Sequence, residues 1–255
     1  MSGEPDRAAA APGGWQRTLR ADCARCFGLC CVVPAFSASA DFAIDKPAGH
    51  PCPHLQADFR CGIHHDLRRQ GFPGCVAYDC FGAGQQVCQV TFGGRDWRQD
   101  PRTAAQMYQV FTIMRQLHEL LWYLSAALAL RPAGPVRGEL RRALEATRAL
   151  THSQADALLG LDTGQHRQQV NVLLQRASEL ARSQVPGPKL EGRGADFTGA
   201  DLRAADLRGA NLATSLFLIQ SQLDVARGDH RTQLPPGLTR PAHWPPVATG
   251  PAPSS

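Results

Sequence analysis

Two hydrophobic rhythms run along this chain, in different places. From residue 101 onward apolar side chains recur at helical spacing: Met107, Val110, Phe111, Met114, Leu117, Leu121 and Leu124 fall on one face. Asp100 and Pro101 supply an N-cap acid followed by proline at the first helical position. A helix is therefore predicted from 101 to about Leu130, where Pro132 and Pro135 end it. Further helices are predicted over about 136–150, 153–159 and 164–182, the last closed by Pro186, Gly187 and Pro188. Beyond them the rhythm changes. Phe197, Leu202, Leu207, Leu212 and Phe217 recur at every fifth position, with Ala195, Ala200, Ala205, Ala210 and Ser215 two places before each. Neither a strand nor a helix generates a period of five. A coil that turns a corner every fifth residue does, with the large and small residues inward and Asp196, Asp201, Arg203, Asp206, Arg208 and Asn211 outward.

Residues 15–100 keep neither rhythm. They are broken by Pro34, Pro47, Pro51, Pro53 and Pro73, which leaves room only for short helices around 23–31 and 62–70. All nine cysteines of the chain lie here, between Cys23 and Cys88. Residues 1–14 are polar and rich in Ala, Pro and Gly; they read as a disordered leader without the apolar segment of a signal peptide. The tail, 235–255, is Pro-rich, with a strapped-down cap expected up to Trp244 and disorder past it. The parts are then 1–14, a Cys-rich module at 15–100, a helical region at 101–186, the repeats at 187–234, and the tail.

Composition narrows the class. Hydrophobic residues make up 43% of the chain, enough for a globular core. The formal charge of +5 comes from basic residues spread along the chain, so no nucleic-acid footprint is expected. The longest apolar run, 117–130, is interrupted by His118 and Glu119 and is too short to cross a bilayer. A soluble cytoplasmic protein with no membrane partner is the expectation. There thiols stay reduced, and clustered cysteines read as metal ligands before disulfides.

The cysteines carry the candidate chemistry. Cys23-x2-Cys26-x3-Cys30-Cys31 places up to four thiolates within nine residues, a spacing that wraps soft metals. With Cys52, Cys61, Cys75 and Cys80 there are eight ligands: two tetrahedral zinc sites, or one iron–sulfur cluster with several thiols left over. The vicinal pair Cys30 and Cys31 is expected to serve different metals, or one of the two to stand aside, because neighbouring side chains diverge along a chain. His50, His54, His64 and His65 flank Cys52 and Cys61 and are available as ligands or as surface residues; Cys88 is a ninth thiol. A Pro- and Gly-rich segment of this size buries little apolar surface, whereas a structural zinc contributes on the order of 10 kcal/mol. Gly82-Ala83-Gly84 has no phosphate-loop context and reads as a turn. No Ser/His/Asp set or carboxylate pair stands out by spacing.

These cysteines carry a resemblance. Cys23, Cys26, Cys30 and Cys31, then Pro51-Cys52, Cys61-Gly62-Ile63 and Cys75 to Cys80 with Tyr78 between, resemble the bacterial zinc- or iron-chelating family (YkgJ-like) known by its CxxC…CC cluster. The resemblance implies Zn2+ or Fe bound by Cys23, Cys26, Cys30, Cys31, Cys52, Cys61, Cys75 and Cys80. This chain departs from the family in His64, in Arg68-Arg69-Gln70, and in the additional Cys88. The five-residue motif resembles the pentapeptide-repeat family, which implies a right-handed quadrilateral β-helix. Members that mimic duplex DNA are acidic rods, whereas residues 187–234 carry six basic and six acidic side chains. A docking scaffold for a protein partner is expected instead. The fold class is then α+β in several parts: a metal-stabilised Cys-rich module, a helical middle, and a short β-helix. The functional reading is a metal-binding accessory or interaction protein rather than an enzyme. The alternatives are an iron-dependent redox or peptide-modifying enzyme and a thiol redox sensor using Cys30, Cys31 and Cys88.

Overall fold

Helix formation follows the sequence signals closely. The computed structural model describes residues 18–130, 134–182 and 195–245. Within these the helices, in chain order, are α1 (Leu29–Val32), α2 (Pro73–Ala77), α3 (Ala83–Gln85), α4 (Pro101–Ala129), α5 (Arg137–Leu150), α6 (Ala155–Leu159), α7 (Thr163–Arg182) and α8 (Gln220–Val225). The carboxylate of Asp100 caps α4 by accepting from the backbone N–H groups of Arg102 at 3.2 Å and Thr103 at 3.0 Å. The short helices expected around 23–31 and 62–70 are reduced to fragments: 3-10 turns at Cys23–Arg25 and His64–Asp66, and the four-residue α1. The leader, the 183–194 approach to the repeats and the tail past 245 lie outside the described residues.

α4 organises the molecule because its apolar stripe is long enough to serve two cores. Its first half, with Met107, Val110, Phe111, Met114 and Leu117, packs on Leu29, Ala83, Val87, Cys88 and Phe92 from the Cys-rich region and on Leu158 of α6. Its second half, with Leu120, Leu121, Tyr123, Leu124 and Ala127, packs on Leu140 and Leu144 of α5 and on Val170, Leu174 and Ala177 of α7. The helical middle is thus also the floor of the cysteine module.

The expected β-helix does not form: among the described residues there is no strand and no sheet, so the fold is helical with irregular connections rather than α+β. The repeats do turn four corners. Each is closed by an N–H donating to the carbonyl three residues before it: Ala200 N bonds Phe197 O at 3.0 Å, Ala205 N bonds Leu202 O at 3.0 Å, Ala210 N bonds Leu207 O at 3.0 Å and Ser215 N bonds Leu212 O at 2.9 Å. The recurrent Asp or Asn is part of that corner. Oδ1 of Asp196, Asp201, Asp206 and Asn211 accepts from the N–H two residues on, at 3.0 to 3.2 Å. Sequence reading assigned these side chains to solvent and missed this role.

The ladder fails because there is one repeated coil and its successor is not a repeat. Parallel bridges form singly, Asp196 with Leu216, Asp206 with Arg227 and Asn211 with Gln233, and the offset grows by one residue at each. Between the first two bridges α8 occupies the place of a strand. There the buried Gln222 side chain takes over, donating from Nε2 to the carbonyls of Phe197 at 2.9 Å and Ala200 at 2.8 Å. Phe217 also leaves the five-residue pattern. At φ +58° it turns out of the coil to meet Tyr123, ring centroids 5.8 Å apart, and Leu218 takes the interior place beside Leu207, Leu212 and Trp244. The expected cap is present: Arg240 donates to the carbonyls of Asp229 and Thr232, and Trp244 Nε1 donates to Ala226 O.

Three corners need a left-handed residue. Gly199 and Gly209 supply it at φ +65° and +70°, but Ala204 stands at +57°. A Cβ in this conformation costs about 1 kcal/mol. Ala204→Gly is therefore expected to stabilise the protein by about 1 kcal/mol, read as a higher urea midpoint; a lower midpoint would refute this account of the corner.

Candidate metal centre

The cysteines arrive from four chain segments, each set by local backbone geometry. Asp22 caps the turn carrying Cys23, its side chain accepting from Ala24 N at 3.1 Å. Gly28, at φ +69°, then reverses the chain into α1, which carries Cys30 and Cys31. A Cβ there would lie 2.6 Å from Leu55 Cδ1 and 2.9 Å from Phe59 O, so only glycine lets the first cysteine turn pack on the second. Cys52 is tied to α1 by its N–H to Cys31 O at 2.9 Å, and Leu55 bridges to Cys61. Cys75 rides on α2. Cys80 sits in a loop clamped from below by α4: Arg115 Nε donates to Asp79 O at 2.8 Å and His118 Nδ1 donates to Phe81 O at 2.7 Å.

The eight predicted ligands come within range of one another's charges, and Cys30 is the one felt by the most others. Its charge acts on Cys23, Cys61, Cys75 and Cys80. Cys26 acts on Cys23, Cys30 and Cys80, while Cys52 acts on Cys61 and Cys75. Cys31 also acts on Cys61, opposing slightly the rise that burial causes there. The sulfurs of Cys30 and Cys31 are 4.0 Å apart, diverging less than neighbouring side chains were expected to, but each faces different further partners. All nine cysteines are free thiols. Among the described residues no three Cys, His, Asp or Glu side chains converge closely enough to enclose an ion as they stand.

The electrostatics favour neutral thiols in this arrangement. Burial pushes Cys75 up to about 11 and Cys80 up to about 12, with neighbouring cysteine charges adding to the effect. Cys23 and Cys61 are also raised, first by burial. Cys30 is raised first by its hydrogen bond with Cys31 and then by burial. Cys26 is the exception: a hydrogen bond from Cys88 lowers it to about 7. A crowd of soft sulfur donors that suppress one another's ionisation is what a divalent cation would reverse, since coordination deprotonates a thiol outright. The donor type is the one zinc and iron take, while the described side chains as they stand enclose no ion.

The histidines do not join this set. His54 packs edge-on against Phe72, His50 Nδ1 is 3.1 Å from Ala48 O, and His64 and His65 are exposed. The residue that sequence reading missed is Lys46. Only 3% exposed, it donates from Nζ to Val32 O at 2.9 Å, Pro47 O at 3.1 Å and His50 O at 3.0 Å. It binds α1 to the loop before Cys52, with Cys31, Cys52 and Cys75 close enough for their charges to act on it. A lone lysine between Asp45 and Pro47 gives no sequence signal for such a role.

His118 makes the clamp beneath Cys80 pH-dependent. Burial lowers it to about 4 from 6.5, so the folded protein holds it neutral. The unfolded chain binds the extra proton between those values, and stability is retained above pH 6.5 and lost as pH falls towards 4. A displacement of that size corresponds to about 3 kcal/mol. The stability of the wild type relative to His118→Gln is expected to fall by about 3 kcal/mol between pH 7 and pH 4; parallel pH profiles would refute the assignment.

Comparison with known proteins places the chain in a family and leaves the resemblance of its cysteine segment to the zinc- or iron-chelating family unmatched. The pentapeptide-repeat family (8 copies) matches residues 193–217. The "Uncharacterized protein YybG" of Bacillus subtilis (strain 168) is 46% identical over 264 residues, covering 89% of this chain and 95% of its own length. No solved structure matches. No helix among the described residues is long and apolar enough to cross a membrane. The chain belongs to the family of the Bacillus subtilis protein YybG.

Proposed function

We propose that this member of the YybG family is a structural zinc protein, in which two ions hold the Cys-rich module and the repeat coil serves as a docking scaffold for a protein partner. One observation carries the reading. Eight thiols from four chain segments lie within range of one another's charges in a stretch where, between residues 33 and 80, Cys52, Leu67 and Phe72 are the buried apolar side chains. Apolar burial of that extent does not order so long an irregular segment.

The neighbour relations support a division into two sets of four. Cys23, Cys26, Cys30 and Cys80 form one, and Cys31, Cys52, Cys61 and Cys75 the other, with Cys30 at the seam, since it also acts on Cys61 and Cys75 and its sulfur lies 4.0 Å from that of Cys31. Four thiolates close a tetrahedral zinc site and leave no open position, which makes the metal a staple rather than a catalyst. On the coil, Arg203 pairs with Asp201 and Arg208 with Asp206, an exposed ladder of mixed charge suited to a protein surface. Elemental analysis and a visible spectrum of anaerobically purified protein test the reading. Two zinc ions per chain and no colour are expected. A coloured, oxygen-sensitive iron protein would favour the enzyme alternative, and metal-free protein would overturn both.

A further inference from the structure

Cys88 stands apart from the eight cysteines assigned to metal. It is fully buried in the core against α4, within a π-helical turn, Gln86–Thr91, that continues α3. A π-turn inserts a residue into the helical register and re-aims the side chains it carries, a distortion common at functional sites. Here it aims the Cys88 sulfur at the first cysteine turn: the N–H of Phe27, the residue after Cys26, donates to Cys88 Sγ at 3.2 Å. Cys26 packs against the same core cluster as Cys88, and the two thiols act on each other's ionisation. Space for the Cys26 sulfur is reserved by Gly84, where a Cβ would lie 2.5 Å from Cys26 Sγ. Cys26 itself is half-buried, so a small oxidant reaches it while Cys88 waits behind.

We propose that Cys26 and Cys88 are a redox couple: a hydroperoxide joins them in a disulfide, which withdraws Cys26 from the metal and weakens that site. This rests on the zinc reading above only for its consequence, not for the bond itself. In the first step the Cys26 sulfur attacks one peroxide oxygen, the O–O bond breaks, and a sulfenic acid and water form. In the second the Cys88 sulfur attacks the Cys26 sulfur, the S–S bond forms, the S–O bond breaks, and the hydroxyl leaves as water with the Cys88 proton. Two thiols lose two electrons and the peroxide becomes two waters. Cys88 is thereby a resolving thiol rather than a ninth ligand.

The full-length protein, as purified with its metal, is treated with equimolar hydrogen peroxide, alkylated and mapped without reduction, while a colorimetric chelator follows metal release. The expected product is a peptide pair linked through Cys26 and Cys88 and reversed by dithiothreitol. Cys88→Ser is expected to begin with the same metal content, to give no such pair, and to release metal roughly fivefold more slowly. Cys88→Ala serves as the second variant should a buried hydroxyl disturb the core. A dominant Cys30–Cys31 linkage would overturn the couple, as would metal already lost from both Cys88 variants before oxidation. Protein purified without metal would defeat the zinc reading, yet the linked peptide would still decide the couple.

Discussion

Stripping the full chain with a strong chelator is expected to release residues 33–72 from their fold while the α4–α7 helices persist. Each structural zinc contributes on the order of 10 kcal/mol, comparable to the whole stability of an ordinary domain, about 5–15 kcal/mol. The helices do not depend on it. Their core of Leu121, Leu124, Leu140, Val170 and Leu174 lies on the far half of α4, and Leu29, Val87 and Phe92 remain seated on the near half. The released segment instead hangs on thiolates, on Lys46, and on a small aromatic group in which Phe36 and Phe42 stack at 4.3 Å and Phe72 meets Phe36 edge-on. Far-ultraviolet dichroism should therefore change little. Near-ultraviolet dichroism should fall, because Trp97 loses its edge contact with Phe59. Limited proteolysis should cut within 33–72 first. Stripped protein with unchanged protease resistance there would contradict the account.

Lys46→Met is expected to lower stability by about 3–5 kcal/mol with the metal still bound. The ammonium satisfies three carbonyls. That of Val32 is buried, and those of Pro47 and His50 are partly buried, where water recovers some of the loss. Leaving a buried acceptor unpaired costs about 1–3 kcal/mol, which sets the size of the effect. Lys46→Arg is not expected to rescue, because a bulkier planar guanidinium does not replace a compact ammonium shared by three carbonyls. Urea denaturation with parallel metal analysis checks both. A loss under about 1 kcal/mol, as for a solvated surface lysine, would show that the clamp is not holding the loop.

The contrast between what the sequence revealed and what it hid is physical. Helical spacing is a local property, repeated over 29 residues in α4 and sealed by Asp100 and Pro101, so the element could be read directly. The period of five was equally visible, and the corners at Phe197 to Ser215 form. What the coil pairs with was not visible, because pairing depends on the turn that follows, and residues 216–233 carry no repeat. There α8 and the Gln222 side chain replace the strand that a second repeat would have provided, and Phe217 goes to the helices instead. The cysteines announced themselves by spacing, but their grouping depends on how Gly28, α2 and the Arg115–His118 clamp bring distant segments together. Lys46, Gln222 and the π-turn at Cys88 act through backbone carbonyls and through register, which leave no pattern in one sequence.

X-ray absorption at the metal edge of the purified full-length protein decides whether thiolate-to-metal bonds hold the amino-terminal module together, as proposed above. An all-sulfur shell of four ligands at about 2.3 Å around zinc is the predicted result. A shell of nitrogen and oxygen, or a spectrum showing no stoichiometric metal, would contradict it.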